Sequence, residues 1–385
     1  IYSNHFDKKK SFFFESLEGD KNWSRYTIIG CSSGDFIEIY GNEIHRFSNF
    51  FCEEKIQHSN PIEWLEECFN EFKAFIPRNL PSFSGGFVGH FSFESVCFFE
   101  NTIKRKEQTN DINAPDISLI ICKDFIVFDK TNNKVFIVVF SDNSKKGYDD
   151  SKEKVSSYEK LLITNLDATN HAKSSQKTTV QYDFERDDFI SAVKQIKKYI
   201  SSGDVMQVVL SQRMTIDFSE KPINFYRELR QINPSPYMYY LNMGDYTVVG
   251  SSPEILVRLE DKKVTVRPIA GTRPRGDSKA SDDNYEIDLL KDNKELAEHL
   301  MLIDLGRNDI GRICETGSIK LTDQMIIERY SHVMHMVSNV EGSINPGSSF
   351  FDVLRATFPA GTVSGAPKIR AVSYTHLTLP TNREV

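Results

Sequence analysis

Residues 11–140 alternate short apolar runs with polar breaks. The runs are rich in aromatic and β-branched residues and are bounded by Gly or Asp, a pattern that predicts short strands. The predicted strands lie at residues 11–14, 26–29 and 36–40, followed by a hairpin over residues 124–140 that turns at residues 131–133. Within this region, apolar residues at helical spacing (Ile62, Leu65, Phe69 and Phe72) predict a helix over residues 61–75.

Residues 141–181 differ in composition from both flanking regions. They are rich in Ser, Lys, Asp and Asn, and only residues 158–162 show a short helical patch. A polar stretch of this kind between two patterned regions predicts a linker or surface excursion between two lobes.

The helical pattern returns at Asp187, a candidate cap, and stops at Gly203. The later predicted elements are a strand at 205–216, a helix from Pro222 to near Asn233, strands over 237–272 turning at 244–245 and 261–262, a helix at 283–305, and a strand at 332–340. Strands in runs with helices between them predict an α+β fold rather than repeated βαβ units.

Composition narrows the class of protein. The chain has 385 residues, 39% hydrophobic and 12% aromatic, which is enough to bury a large core in more than one lobe. A formal net charge of −7 argues against nucleic acid or an anionic membrane as partner, and no apolar run reaches membrane-spanning length. Six scattered cysteines without a CxxC pair predict a reduced, cytoplasmic protein. Because the chain starts at Ile1, we expect the true N-terminus to lie upstream.

Several familiar motifs are missing or misplaced. Residues 30–34 (GCSSG) resemble a nucleophile turn, but predicted strands lie on both sides, which favours a hairpin turn. No Walker loop and no GxGxxG after a strand occur. His332 and His335 have a metal-like spacing, but on a strand they point to opposite faces and cannot share a metal ion.

Glu295 and Glu298 form the one candidate carboxylate pair. Three residues apart on a predicted helix, their Cβ atoms should lie about 5–6 Å apart. Such a pair is either a solvated helix face or a set of oxygen ligands for Mg²⁺, and periodicity alone leaves both possibilities open.

Seven segments, in order, resemble the chorismate-utilising enzymes, and among them component I of anthranilate synthase. They are DVMQVVLSQR at 204–213, NPSPYM at 233–238, GSSPE at 250–254, RPIAGTRPRG at 267–276, KELAEHLMLIDLGRND at 294–309, VMHMVS at 333–338 and GTVSGAPK at 361–368. The resemblance implies conversion of chorismate and ammonia to anthranilate and pyruvate, the first step of tryptophan biosynthesis, by an Mg²⁺-dependent lyase.

The resemblance also implies roles for individual residues. Glu254 matches the acid near the departing C4 hydroxyl of chorismate, and His335 matches the base that removes the C2 proton. Glu298 and Glu295 match the Mg²⁺ site, with Glu295 also near the ring carboxylate. Gly271, Thr272 and Thr362 match loop positions that line the substrate pocket, and residues 307–309 are expected to be structural.

A regulatory site and a partner follow from the same resemblance. Tryptophan, as a feedback inhibitor, is expected to bind between two walls, formed by Glu15 and Ser16 and by Pro236, Tyr237 and Met238. No cysteine lies in the setting of a glutaminase nucleophile, so ammonia is expected from a separate glutamine amidotransferase subunit.

The implied architecture consists of large, mostly antiparallel sheets packed as a sandwich with helices outside. The expected divisions are an N-terminal regulatory region at 1–140, a linker at 141–181, a chorismate-binding catalytic domain at 182–372 and a non-native tail at 373–385. Because the resemblance stops after residue 372, the C-terminal part of the catalytic domain is expected to be incomplete, with part of the metal and substrate site missing.

Two alternative functions remain. The first is aminodeoxychorismate synthase component I, which commonly carries Lys where this chain has Ala270, so Ala270 favours anthranilate synthase. Isochorismate-forming relatives commonly carry Lys at the position of Gln207, and an amide cannot activate water as a base. The second alternative is a catalytically inactive fragment that retains only ligand or partner binding.

Overall fold

The structure is a computed structural model that describes residues 1–17, 25–72, 74–103, 112–164 and 179–375. The chain divides into two compact units. Unit 1 takes its described residues from Ile1–Phe98, Arg105–Ala172 and Glu220–Pro253. Unit 2 takes them from Phe99–Lys104, Lys173–Ser219 and Glu254–Val385.

The first elements lie in the sequence up to residue 164, with short helical turns at Tyr2–Phe6 and Phe93–Ser95. They are β1 Ser11–Glu15, β2 Tyr26–Gly30, β3 Phe36–Tyr40, β4 Glu43–Ser48, β5 Phe51–Gln57, α1 Pro61–Glu71, β6 Gly86–Phe91, α2 Val96–Phe99, β7 Ile117–Cys122, β8 Asp124–Asp129, β9 Lys134–Val139 and α3 Lys145–Ile163.

The later elements begin at residue 180 and include a short helical turn at Gly361–Val363. They are β10 Val180–Tyr182, α4 Arg186–Ser201, β11 Gln207–Val208, β12 Met214–Ile216, α5 Pro222–Ile232, β13 Tyr237–Asn242, β14 Thr247–Ser252, β15 Arg258–Glu260, β16 Lys263–Val266, β17 Ile269–Pro274, α6 Lys279–Lys291, α7 Asn293–Gly311, β18 Lys320–Arg329, β19 Val333–Ser343, α8 Phe350–Thr357, β20 Gly365–Ala366 and α9 Lys368–Thr375.

Unit 1 is an antiparallel sandwich. One sheet has the strand order β14-β13-β1-β2-β8-β9 and the other β5-β4-β3-β7-β6. A buried cluster takes Phe12, Phe125 and Leu241 from the first sheet and Val88 and Ile120 from the second, so the two sheets pack face to face.

The outer face of the first sheet is covered by helices. Ile126 and Tyr240 of this sheet pack with Tyr226 of α5, and Leu161 and Leu162 of α3 pack against the same cluster. This arrangement confirms the predicted α+β class, with antiparallel sheets in a sandwich and helices outside.

Unit 2 is built on an antiparallel sheet with the order β15-β16-β19-β17, and β18 pairs with β19. Val264 and Val340 of this sheet pack with Ile303 and Ile310 of α7 and Val353 of α8. The central strand β19 and helix α7 therefore share one core, and both carry predicted site residues. Two short sheets, β10-β12 and β11-β20, complete the described part of unit 2.

Most local predictions from the sequence are confirmed. The hairpin of β8 and β9 turns where expected, and the helix that starts at Pro222 is capped at Asn233. The helix predicted over residues 61–75 forms but ends at Glu71. Gly203 has a φ of +80° and follows the end of α4, as a stop position requires.

The prediction of one continuous helix over residues 283–305 is wrong. The structure has two helices, α6 and α7, which are separated at Asp292. Asp292 has extended backbone angles, and its carboxylate accepts hydrogen bonds from the backbone N–H groups of Lys294 and Glu295. The aspartate is therefore the N-cap of a new helix, which places Glu295 in its first turn.

Other boundaries also differ from the predictions. The strand predicted over residues 205–216 is two short strands, β11 and β12. Helix α4 begins at Arg186, so Asp187 lies in its first turn instead of capping it. Residues 30–34 do not form a hairpin turn, because β2 and β3 belong to different sheets.

The polar segment after residue 140 contains more structure than the predicted patch. Helix α3 has 19 residues and is capped by Ser144, whose hydroxyl accepts from the Gly147 N–H. The predicted patch at 158–162 is the part of this helix that packs on the sheet of unit 1. The expected tail lies outside the described residues from residue 376 onward.

Candidate active site

Glu254 lines a small cavity in unit 2. The cavity has a volume of about 40 Å³, and its walls include Leu302, Leu305 and Asp309 of α7 and Thr362. Burial raises the pKa of Glu254 to about 7, because an apolar environment disfavours the charged carboxylate. The Glu254 side chain can therefore hold a proton near neutral pH and donate it.

Thr362 is held next to Glu254 by a short helical turn. Its hydroxyl lies 3.1 Å from Glu254 Oε2 and donates a hydrogen bond to it. The preceding residue, Gly361, packs so closely on α7 that a Cβ atom there would lie 2.3 Å from Leu305 Cδ2. The absence of a side chain at residue 361 thus sets the position of the Thr362 hydroxyl.

His335 lies on β19, opposite Thr272 of β17. Its Nδ1 is 3.3 Å from the carbonyl oxygen of Gly271 and 3.1 Å from Thr272 Oγ1. A carbonyl can only accept, so Nδ1 carries the proton and Nε2 keeps its lone pair. Burial lowers the pKa of His335, which favours the neutral imidazole. These properties suit a general base.

Gly271 and Thr272 occupy an irregularity in β17. The register with β19 shifts between Ala270 and Thr272, and Gly271 has a φ of +76°. A Cβ atom at Gly271 would lie 3.1 Å from Leu289 Cδ1 and 3.5 Å from Glu295 Oε2. The bulge therefore brings the backbone next to His335 close to the Glu295 carboxylate.

Glu295 and Glu298 lie in the first turns of α7. The Glu298 carboxylate accepts a hydrogen bond of 2.9 Å from Gln207 Nε2 of β11. Gln207 Oε1 is buried without a hydrogen-bond partner, which adds a further oxygen beside Glu298. No pattern in the sequence indicates this contact, because Gln207 and Glu298 lie 91 residues apart in the chain.

The oxygen donors at Glu295, Glu298 and Gln207 fit a hard divalent cation. Mg²⁺ commonly binds one or two carboxylates and completes its coordination with substrate and water oxygens. Within the described ranges, no group of three or more His, Cys, Asp or Glu side chains is arranged to hold a metal ion. Glu295 and Glu298 supply carboxylate oxygens of the kind that Mg²⁺ binds, and the described residues do not form a complete set of protein ligands around them.

A buried ion pair stands at the other end of α7. Lys368 Nζ lies 2.5 Å from Asp309 Oδ2 and 2.5 Å from the Thr357 carbonyl oxygen. Asp309 also lines the Glu254 cavity. Burial raises the pKa of Asp309 and lowers that of Lys368. This contact agrees with the structural role expected for residue 309, and it adds Lys368 as the partner of Asp309.

The two predicted walls of the regulatory site meet in unit 1. Strand β1 pairs with β13, and this register places Glu15 opposite Met238. The Leu17 N–H donates to the Ser235 carbonyl oxygen, which continues the pairing beyond Ser16. The Glu15 carboxylate is bound by Arg230, at 2.6 and 3.0 Å, and by the Tyr226 hydroxyl at 3.1 Å.

The second wall of this region is mostly buried. Pro236 and Met238 are buried, and Tyr237 is half-buried at the start of β13. Lys130 Nζ donates to the Ser16 carbonyl oxygen at 2.5 Å. The structure thus brings all five predicted residues together, and it adds cationic and phenolic partners that the sequence did not reveal.

Comparison with known proteins places these features in a family. A model of the family described as chorismate binding enzyme matches residues 16–385. Anthranilate synthase component 1 from Neisseria meningitidis serogroup B is 43% identical over 390 residues, covering 100% of this chain and 79% of that protein. The Pseudomonas aeruginosa anthranilate synthase component 1 is 42% identical with the same coverage.

Solved structures show the same fold. Anthranilate synthase component I from Streptococcus pneumoniae matches with a TM-score of 0.80 and 32% identity, over 93% of this chain and 78% of that chain. The menaquinone-specific isochorismate synthase of Escherichia coli matches with a TM-score of 0.67 at 13% identity, over 96% and 72% of the two chains. The chain belongs to the chorismate binding enzyme family. Within that family, the relatives with 42–43% identity are components 1 of anthranilate synthases.

Proposed function

We propose that this chain acts as the large subunit of an anthranilate synthase, which converts chorismate and ammonia to anthranilate and pyruvate. The observation that carries the proposal is the similarity over the whole chain to components 1 of anthranilate synthases. Its support in the structure is that Glu254 and His335 each have the protonation chemistry that their proposed roles need.

Glu254 acts as the general acid in this proposal. As ammonia adds at C2 of chorismate, the C4 hydroxyl leaves, and a proton from Glu254 allows it to leave as water. A carboxyl whose pKa is near 7 is still partly protonated at neutral pH, and a proton donor works best when its pKa lies close to the working pH. Thr362 orients the carboxyl through its hydrogen bond.

His335 acts as the general base. The aminated intermediate loses its C2 proton to His335 Nε2, the bond between ring carbon C3 and the ether oxygen breaks, and the ring becomes aromatic. The enolpyruvyl group leaves as the enolate of pyruvate, which takes a proton at its methylene carbon. The backbone carbonyl of Gly271 holds the proton on Nδ1, so the lone pair of Nε2 is available for this step.

Mg²⁺ is the proposed cofactor, and Glu298 and Glu295 are its proposed ligands. When bound, the ion would hold the ring carboxylate of chorismate and offset its negative charge. The support is that both residues lie at one end of α7 and that Glu298 lies beside the Gln207 amide, whose oxygen is buried without a hydrogen-bond partner. Calorimetry tests this directly: Mg²⁺ should bind the wild type more tightly than Glu298→Gln, and equal affinity would remove Glu298 from the site.

A partner subunit and an effector complete the proposal. The partner is a glutamine amidotransferase that supplies ammonia, since the relatives are named component 1. A second reason is that burial raises the pKa of Cys31 and Cys122 in this chain, which makes these thiols poor nucleophiles. Tryptophan is the proposed inhibitor, bound beside Glu15, Ser16 and residues 236–238. Titration of tryptophan into the wild type and Ser16→Phe tests the site, which is refuted if the wild type shows no binding.

The reaction is tested with chorismate, ammonium and Mg²⁺. We expect fluorescent anthranilate and pyruvate in equal amounts. Release of 4-amino-4-deoxychorismate without pyruvate would instead identify an aminodeoxychorismate synthase. Substituting His335→Ala should block the second step more than the first, so that the aminated intermediate accumulates.

A further inference from the structure

Glu328 of β18 lies on the strand next to His335. The antiparallel register between β18 and β19 places Glu328 directly opposite His335. Directly opposed residues on neighbouring strands project to the same face of the sheet, with Cβ atoms about 4.5–5.5 Å apart. The carboxylate and the imidazole are therefore neighbours, although they are seven residues apart and separated by a turn.

The Glu328 carboxylate is held on two sides. Arg267 binds it with both terminal guanidinium nitrogens, one of them at 3.0 Å from Oε2. The Tyr330 hydroxyl donates to Oε2 at 2.8 Å. Arg267 is 10% exposed in its side chain and Glu328 is 23% exposed, so water screens their interaction only in part.

Tyr330 joins this group to the imidazole itself. Its ring centroid lies 5.6 Å from that of His335, with the two rings tilted by 60°. Tyr330 is buried, and its backbone closes the turn between β18 and β19 through a hydrogen bond to Val333. Its phenol thus contacts His335 with its ring and Glu328 with its hydroxyl.

We propose that Glu328 is a positioning residue for His335: together with Tyr330 and Arg267 it fixes the imidazole and stabilises the imidazolium that forms when His335 takes a proton. This inference rests on the proposed role of His335 as the base. It assigns Glu328 no contact with substrate.

The charged groups around His335 support this assignment. Burial lowers the pKa of His335, and two groups act in the opposite direction: the Gly271 carbonyl, and the Glu328 carboxylate of β18. From β17 the ring meets the Gly271 carbonyl and the Thr272 hydroxyl, and Glu295 lies beyond Gly271. Arg273 of β17 is bound by Asp288 and Asp292. A negative charge at Glu328 stabilises His335 after it is protonated, as the third group of a catalytic triad does for its histidine.

The substitution Glu328→Gln removes this charge and keeps the size of the side chain. The active form of His335 is the neutral base, so the rate of the second step rises with pH through the pKa of His335. Loss of a neighbouring carboxylate lowers that pKa, so the rising limb of the pH profile should move to lower pH. At the same time the plateau rate should fall by about 10- to 100-fold, because the imidazolium is less stabilised and the base is weaker.

Arg267→Gln should act in the opposite direction. It removes the cation that offsets Glu328, so the pKa of His335 should rise and the limb should move to higher pH. The matched control is Glu341→Gln, since Glu341 lies on β19 and pairs with Lys263 at 3.1 Å, away from His335. It should leave both limb and plateau at the wild-type values.

The direct measurement is the titration of the His335 ring by NMR in the full chain, which needs no turnover. Opposite shifts in Glu328→Gln and Arg267→Gln support the proposal, and unchanged titration in both variants overturns it. If Glu328→Gln does not fold, the Arg267→Gln titration alone decides, because an unchanged or lowered pKa there contradicts the proposal. If the wild type makes no anthranilate while the two variants still shift the His335 titration in opposite directions, the proposed function is refuted. The coupling of Glu328 to His335 would then still stand.

Discussion

Two glutamates illustrate how the two units use the same side chain differently. In unit 1, Glu15 is bound by the guanidinium of Arg230 through two hydrogen bonds. In unit 2, Glu254 accepts from the neutral hydroxyl of Thr362, and burial raises its pKa to about 7. Burial of a carboxyl favours its protonated form, and in Glu254 burial outweighs the hydrogen bond from Thr362, which acts in the opposite direction. Glu15 is thus suited to binding and Glu254 to proton transfer.

Two histidines of unit 2 also differ in how their surroundings affect the pKa of the side chain. His299 of α7 is fully buried, its Nε2 bonds the Ser338 hydroxyl at 2.7 Å, and burial lowers its pKa to about 4. His335 is half-buried, and Glu328 partly offsets the effect of burial on its pKa. Both imidazoles are neutral near pH 7, but their partners differ: His299 bonds Ser338, whereas His335 lies opposite Thr272 beside the bulge of β17.

The largest expected effect is on Glu254. Replacing it with Gln removes the proton donor, and we expect kcat to fall by about 10²- to 10⁴-fold. In the wild type, kcat/KM should fall as pH rises through about 7, where Glu254 loses its proton, and this limb should vanish in Glu254→Gln.

Glu260→Gln is the control for this experiment, because Glu260 is an exposed glutamate on β15 of the same unit. Steady-state formation of anthranilate across the pH range provides the measurement. A variant at Glu254 with a normal rate and a normal descending limb would assign proton donation to another group.

The second effect concerns stability. Asp309→Asn leaves the Lys368 ammonium buried without its counter-charge, and we expect a loss of about 3–5 kcal/mol in the free energy of unfolding. Asp304→Asn, on the same helix in an exposed pair with Arg307, should change it by less than about 1 kcal/mol. Urea unfolding of both variants measures the difference. Similar losses would mean that burial does not distinguish these pairs.

The third effect tests the unit 1 side of the comparison. Glu15→Gln keeps the shape of the side chain but removes the charge, so tryptophan should bind more weakly by about 1.5–3 kcal/mol if its ammonium group meets Glu15. Glu67→Gln, an exposed position on α1, is the control. Calorimetric titration of tryptophan into both variants provides the affinities. Equal affinities of the two variants for tryptophan would show that Glu15 does not contribute to the effector site.

The smallest effect concerns the bulge beside His335. Gly271 and Gly317 both have left-handed backbone angles, with φ of +76° and +79°, but only Gly271 has neighbours near the position of a Cβ atom. Alanine at either site should destabilise the protein by about 1–2 kcal/mol, because L-residues resist this conformation. The free energy of unfolding in urea should fall more in Gly271→Ala than in Gly317→Ala, because only at residue 271 does the added methyl group meet Leu289. The reverse order would contradict the packing of the bulge.

The sequence by itself determined much of the local structure and predicted the residue types of the candidate site. Strands β2 and β3, the hairpin of β8 and β9, and helix α5 follow from patterns of period two and 3.6. The ordered motifs also predicted Glu254, Glu298 and His335 as site residues, through the family resemblance that these motifs carry.

Only the tertiary structure decided what surrounds those residues. The pairing of β1 with β13, more than 200 residues apart in the chain, brings Glu15 opposite Met238, and no local pattern encodes such a pairing. The break at Asp292 was also invisible to periodicity, since a capping aspartate interrupts an otherwise helical pattern. The proton affinities of Glu254 and His335 depend on burial and on partners such as Thr362 and Glu328. Those partners come from distant segments, so they exist as neighbours only after the chain has folded.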